Sequence, residues 1–141
     1  MEHAGNLVDW SKFARMRTQL GADFIRILGY FREDGEKSVG RIEEAMHRRD
    51  AAALIIPAHT MKTEARQFGA DPLGELAEEI EIAGRRGVES RLFPDDLLPQ
   101  VARLRPLYVR TMELFEQETN PLVARRAVAD RSAANQEFGR L

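Results

Sequence analysis

Apolar residues recur every three or four positions along most of the chain, which is the period of a helix packed on one side. No segment alternates polar and apolar residues long enough to indicate a strand, and β-branched residues are sparse. Capping residues, glycines and prolines bound the periodic segments. The pattern predicts five helices, over residues 9–20, 23–46, 51–68, 71–87 and 97–119.

Three residues inside these segments disfavour an uninterrupted helix. Gly35 is a point at which the second helix can break, and Pro57 and Pro106 are expected to kink the third and fifth. Short connections favour antiparallel neighbours. We therefore predict an all-α fold, an antiparallel up-and-down four-helix bundle with an extra N-terminal helix and a C-terminal extension.

The same pattern predicts one domain with two accessory ends. Residues 1–8 are expected to be a flexible lead-in and residues 9–118 the helical bundle. Residues 119–141 are predicted to be an extension, with a short helix to Asp130 and then a mobile polar tail.

Composition excludes several classes of function. The 141 residues carry 21 basic and 23 acidic side chains, a balance that disfavours a nucleic-acid partner. The absence of cysteine excludes disulfides and thiolate chemistry and disfavours a metal site. The longest apolar run, residues 51–57, is too short to span a membrane, and the first residues lack the blocks of a signal peptide. We expect a cytoplasmic protein without a membrane partner.

The third predicted helix has one chemically distinctive face. With about 100° between successive residues, its polar and apolar side chains fall on opposite sides. His59 then faces solvent, with Lys62 and Arg66 one and two turns further along the same side. Thr63 lies beside them. The opposite stripe consists of Leu54, Ala58, Met61, Ala65 and Phe68.

This spacing suits a histidine that accepts a phosphoryl group. A neutral imidazole keeps a lone pair, which a nucleophile requires, and a nearby cation stabilises the charge on the transferring oxygens. Lys62 is one of only three lysines among the 21 basic residues, and a compact ammonium suits that role. Ile55 and Ile56 fall on either side of His59 if the helix continues through Pro57, and such an apolar patch is typical of a docking surface.

The run AHTMKTEARQFGA at residues 58–70, followed by the acidic segment PLGELAEEIE, resembles the histidine-containing phosphotransfer (HPt) domain of bacterial phosphorelays. That family's signature is Ala-His-x-Leu-Lys-Gly followed by Gly-Ala. His59 matches the phosphorylated histidine, Lys62 the lysine three residues on, and Gly69 the first residue of the helix-ending pair. The resemblance covers about residues 9–118 in layout. Thr63 departs from it, since the family usually has glycine there.

The resemblance implies a phosphorelay intermediate in a four-helix bundle. His59 would take a phosphoryl group from the aspartyl phosphate of a receiver domain and pass it to another receiver, with Lys62 stabilising the group. The implied partners are response-regulator receivers and the receiver of a hybrid histidine kinase, and Mg²⁺ is expected on the receiver, so no cofactor is expected here. A monomer without kinase activity of its own is expected. The predicted binding residues are Thr63, Arg66, Ile55, Ile56, Gln67 and Gly69.

Two alternatives remain open at this point. A non-catalytic helical adaptor would bind receivers through the same face without accepting phosphate. A kinase dimerisation domain is also helical with an exposed histidine, but such kinases usually place an acidic residue directly after it, where this chain has Thr60. No glycine-rich nucleotide loop is present either.

The remaining polar clusters have simpler interpretations. Three scattered histidines do not form a metal site, and His3 and His47 are assigned to structure or solvent. Arg85 and Arg86 are interpreted as a charge pair at a helix C-terminus. A solvated helix face is the interpretation of the acidic residues Glu75, Glu78, Glu79 and Glu81.

Overall fold

The computed structural model describes residues 6–120 and Leu122, and these contain helices and no strand. The α-helices are α1 Trp10–Leu20, α2 Phe24–Arg48, α3 Ala51–Gln67, α4 Asp71–Ser90 and α5 Leu98–Thr119. Two short 3₁₀ turns, Gly21–Asp23 and Asp95–Leu97, precede α2 and α5. The predicted flexible residues 1–5 and, apart from Leu122, the predicted short helix and tail beyond Asn120 lie outside the described residues.

The chain divides into a unit of residues 1–111 and a second unit from Met112 onward. In the first unit, α2, α3, α4 and the α5 residues up to 111 form the antiparallel four-helix bundle that the pattern predicts. In the second unit, α5 continues to Thr119. No helix of the described part is long and apolar enough to cross a membrane.

The predicted interruptions do not end the helices. α2 is continuous through Gly35. Because glycine has no side chain, the ring of Tyr108 from α5 packs directly against α2 at this position. The Tyr108 hydroxyl donates to the carbonyl of Arg32 one turn earlier. The break that Gly35 would allow therefore does not occur in α2. α3 is likewise one helix through the buried Pro57.

Ion pairs and caps fix the helix ends and pairings. Asp50 caps α3, its carboxylate accepting from the amide of Ala53 at 3.1 Å, as predicted. Asp71 does not cap α4, since the cap position belongs to Ala70, and its carboxylate instead accepts from Lys12 Nζ at 2.8 Å. That contact joins α1 to the start of α4.

The N-terminal helix docks where α3 ends. The amide of Asp9 donates to the carbonyl of Gly69 at 2.8 Å, and Gly69 has a φ of 81°. A Cβ on Gly69 would lie 2.5 Å from the Asp9 carbonyl oxygen, so glycine is required by both conformation and space. Leu7 and Val8, the last two residues of the predicted lead-in, are buried.

α3 and α4 approach closely along a seam of small residues on α4. A Cβ on Gly84 would lie 3.0 Å from the carbonyl oxygen of Ala51, and one on Gly74 would lie 2.9 Å from Arg66 Cγ. On the core side of α3, the predicted apolar stripe is buried, with each member at most 1% exposed: Leu54, Ala58, Met61, Ala65 and Phe68. The burial of this stripe turns the opposite face of α3 outward.

Candidate functional site

His59 stands on the outer face of α3, and its side chain is 54% exposed. This follows from the helical period, because the residue lies opposite the buried stripe. Lys62, one turn further on, is more enclosed, with its side chain 19% exposed. The structure therefore brings the two predicted residues to one surface.

Both residues meet a carboxylate that belongs to α4. Glu81 Oε2 lies 3.0 Å from His59 Nδ1, and Glu81 Oε1 lies 2.8 Å from Lys62 Nζ. Arg85, one turn along α4, donates to Oε2 from Nη2 at 2.8 Å and from Nε at 3.1 Å. The Glu81 side chain is only 6% exposed, so the imidazole and both cations surround a buried anion.

The Glu81 carboxylate is ionised throughout the physiological range. Burial alone would raise its pKa, but the hydrogen bonds from Lys62, Arg85 and His59 outweigh burial and lower the pKa to about 2. An ionised carboxylate can only accept hydrogen bonds. His59 therefore carries its proton on Nδ1 when the ring is neutral, and the lone pair is on Nε2.

The sequence interpretation of this acidic residue was wrong. Glu81 does not belong to a solvated face, and Arg85 is not simply a charge at a helix end, because the two form part of the His59 site. The signal lay in the spacing of Glu81, which precedes the seam residue Gly84 by three positions and follows the buried Ala77 by four. A carboxylate in register with small buried residues indicates a buried partner for a cation.

The other acidic residues behave differently. Glu75 and Glu79 are exposed, as predicted. Glu78 is partly buried and pairs with Arg66, whose Nη2 lies 2.8 Å from Glu78 Oε1. Arg66 is thus on the predicted face and bridges α3 to α4 at its edge.

The remaining predicted binding residues are divided between surface and interior. Thr63 is exposed, and its hydroxyl donates to the carbonyl of His59 at 3.1 Å, a bond within the helix. Gln67 is exposed at the end of α3. Gly69 is buried beneath α1, so it is not exposed to a binding partner, and its contacts instead position α1.

The two isoleucines also differ in exposure. Ile56 is 74% exposed, whereas Ile55 is partly buried and turns towards α4, with its Cγ1 3.2 Å from the position of a Cβ on Gly84. Within residues 6–120 no group of three histidine, aspartate or glutamate side chains could hold a metal ion.

A comparison with protein families identifies the chain. The family model described as "Hpt domain" matches residues 26–118, about two thirds of the sequence. The chain belongs to the Hpt domain family. This Hpt protein is a phosphorelay intermediate that acts by histidine phosphotransfer, which confirms the function that the resemblance implied.

A solved structure shares the fold of this Hpt protein. It is the crystal structure of histidine-containing phosphotransfer protein B (HptB) from Pseudomonas aeruginosa PAO1, with a TM-score of 0.69 and 24% sequence identity. The match covers 79% of this chain and 93% of that one. No curated protein sequence matches this chain.

Proposed function

We propose that His59 is the phosphoacceptor of this Hpt protein and that Nε2 is its reacting nitrogen. The observation that supports this is the bond between Nδ1 and the ionised Glu81 on an otherwise exposed imidazole. With Nδ1 occupied, the lone pair of Nε2 is the one that an incoming phosphoryl group can meet.

The transfer needs no proton to leave the ring. Nε2 attacks phosphorus in line, the bond between phosphorus and the receiver's aspartyl oxygen breaks, and that oxygen departs as a carboxylate. The product is a phosphoimidazole that still carries the Nδ1 proton and hence a positive ring charge. Glu81 stabilises this charge through the same hydrogen bond. Transfer to the next receiver reverses these steps with another aspartate.

Lys62 is the cation proposed to stabilise the phosphoryl oxygens. It lies one helical turn from His59 on the same surface, and its side chain is 19% exposed. The phosphoryl group spreads negative charge over three oxygens, which an ammonium can approach as a point charge.

Receiver domains are the proposed partners, since Hpt domains in phosphorelays work with receivers. They would include response regulators and the receiver of a hybrid kinase, and Mg²⁺ would come with them. The acceptor surface that they would contact consists of Ile55, Ile56, His59, Thr63, Arg66 and Gln67. The exposed Ile56 supplies apolar area, and Thr63 places a side chain where the family usually has glycine. A cytoplasmic location, a monomeric state and the absence of kinase activity, nucleic acid and membrane partners remain predictions.

Intact-mass spectrometry tests this assignment. The full chain is incubated with a phosphorylated receiver, with His59→Gln as the variant and His47→Gln as the matched control, because His47 is exposed at the end of α2. We expect an acid-labile gain of one phosphoryl group that His59→Gln abolishes and His47→Gln retains. A stable complex without mass gain would instead support the adaptor. Labelling from ATP alone would support a kinase-type domain.

A further inference from the structure

The two carboxylate oxygens of Glu81 have different numbers of partners. Oε1 forms an ion pair with Lys62 Nζ at 2.8 Å, whereas Oε2 accepts hydrogen bonds from His59 Nδ1 and from both Nε and Nη2 of Arg85. An arginine fork ordinarily spans a carboxylate with one donor on each oxygen. Here Lys62 pairs with Oε1, and both donors of Arg85 bind Oε2.

This arrangement conflicts with the proposed role of Lys62. The two ring nitrogens of an imidazole point in diverging directions, so a phosphoryl group on Nε2 lies on the side of the ring away from Glu81. Lys62 must turn from Glu81 to reach it. The departure of Lys62 would remove the ion-pair partner of the buried Oε1, and a buried charge that loses its partner is strongly unfavourable.

Arg85 can replace Lys62 as the partner of Oε1. Its guanidinium already touches the carboxylate, its side chain is 54% exposed and so has room to turn, and its planar fork matches both oxygens. We propose that Arg85 is a positioning residue that takes over Oε1 when Lys62 moves to the phosphoryl group, so that Glu81 stays neutralised and keeps holding His59. This inference rests on the proposed function, because it assigns the step that frees Lys62.

This replacement of Lys62 by Arg85 at Oε1, here called the exchange, predicts a specific pattern of phosphotransfer rates among variants. Without Arg85, Glu81 retains Lys62, and the chain behaves as if Lys62 were absent. Arg85→Ala should therefore lower the maximal transfer rate about tenfold while the receiver concentration for half-maximal rate changes little. Adding Lys62→Ala to Arg85→Ala should cause little further loss, since both substitutions remove the same contribution.

Glu81→Gln, which replaces the charged carboxylate with a neutral amide, distinguishes a positioning role of Arg85 from a role in attracting the receiver. In Glu81→Gln, the amide oxygen still accepts from His59 Nδ1–H, but the side chain holds no charge that retains Lys62. Glu81→Gln should therefore restore the rate of Arg85→Ala to within about threefold of Glu81→Gln alone. If Arg85 only attracted the receiver electrostatically, the substitutions would multiply and the double variant would stay slow.

The experiment is rapid-quench transfer from a phosphorylated receiver to the full chain, over a range of receiver concentrations. The variants are Arg85→Ala, Lys62→Ala, Glu81→Gln and the two double substitutions. Arg86→Ala is the control, because it removes the same charge from the exposed position next to Arg85. Circular dichroism of each variant confirms that the helices are retained.

The outcomes are distinct. A tenfold loss in Arg85→Ala that does not multiply with Lys62→Ala and is restored by Glu81→Gln supports the exchange. Wild-type rates in Arg85→Ala, a loss equal to that of Arg86→Ala, or multiplying effects would overturn it while leaving His59 as phosphoacceptor. Transfer that persists in His59→Gln, measured in parallel, would overturn the proposed function itself, and with it the exchange.

Discussion

His59 on α3 and Glu81 on α4 are joined by a hydrogen bond of 3.0 Å between an exposed imidazole and a buried carboxylate. The bond joins α3 to α4 across their seam, where α4 carries glycine on either side of Glu81. Because glycine has no side chain, α3 and α4 can approach closely there, and the Glu81 carboxylate then reaches the His59 ring. The fold thus fixes which nitrogen of His59 faces outward.

The first prediction concerns the bond itself. Glu81→Ala removes the acceptor of Nδ1–H, so the ring loses its fixed orientation, and we expect phosphotransfer to slow about tenfold or more. Glu81→Gln retains an oxygen acceptor and should slow transfer far less. Rapid-quench rates of both variants, with Glu75→Gln on the exposed face of α4 as control, check the order. Equal rates in the alanine and glutamine variants would contradict the orienting role.

The second prediction concerns Glu64, a partly buried carboxyl on α3 that the proposed reaction does not use. Burial, together with the negative charge of Asp34, raises its pKa from 4.5 to about 7. The folded state therefore keeps a proton that the unfolded chain loses, and stability falls as pH rises from about 4.5 to 7. Glu64→Gln removes this loss.

Urea unfolding at pH 5 and pH 8 checks the prediction. Between pH 5 and pH 8, the free energy of unfolding should fall by about 2 kcal/mol more in the wild type than in Glu64→Gln. The exposed Glu75→Gln should follow the wild type at both values. A wild type whose pH dependence matched that of Glu64→Gln would show that this carboxyl does not titrate in the window.

The third prediction compares two glycines of α2. A Cβ on Gly35 would collide with the Tyr108 ring, whereas a Cβ on Gly40 would meet no atom within 4 Å. We expect Gly35→Ala to lower the free energy of unfolding by about 1–3 kcal/mol, because the ring must shift. Gly40→Ala should raise it by about 0.5–1 kcal/mol, since alanine favours the helix. Thermal unfolding of both variants measures the difference, and changes of the same sign would refute the packing argument.

The sequence predicts much of this molecule because one signal dominates it. The three- and four-residue spacing of Leu54, Ala58 and Met61 determines which side of α3 is buried, and therefore that His59 is exposed. Residue types at fixed spacing also placed Lys62 beside it. Such features depend on one helix at a time, and a single helix can be predicted from its own residues.

The features that the sequence did not predict depend on two helices at once. Glu81 resembles its exposed acidic neighbours along the chain, and only the closeness of α3 makes it a buried partner of His59. Gly35 weakens an isolated helix, but Tyr108 from α5 fills the space beside it. Pairing between distant segments decides both cases, and local pattern carries little information about it.

We propose that the phosphoryl group resides on Nε2 of His59 because Glu81 holds Nδ1. The direct measurement is ¹⁵N and ³¹P NMR of the full chain, ¹⁵N-labelled at histidine and phosphorylated by a receiver. We predict phosphorus–nitrogen coupling at His59 Nε2 and a proton retained on Nδ1. Coupling at Nδ1, or phosphorus on a residue other than His59, would contradict the assignment of Nε2 as the reacting nitrogen.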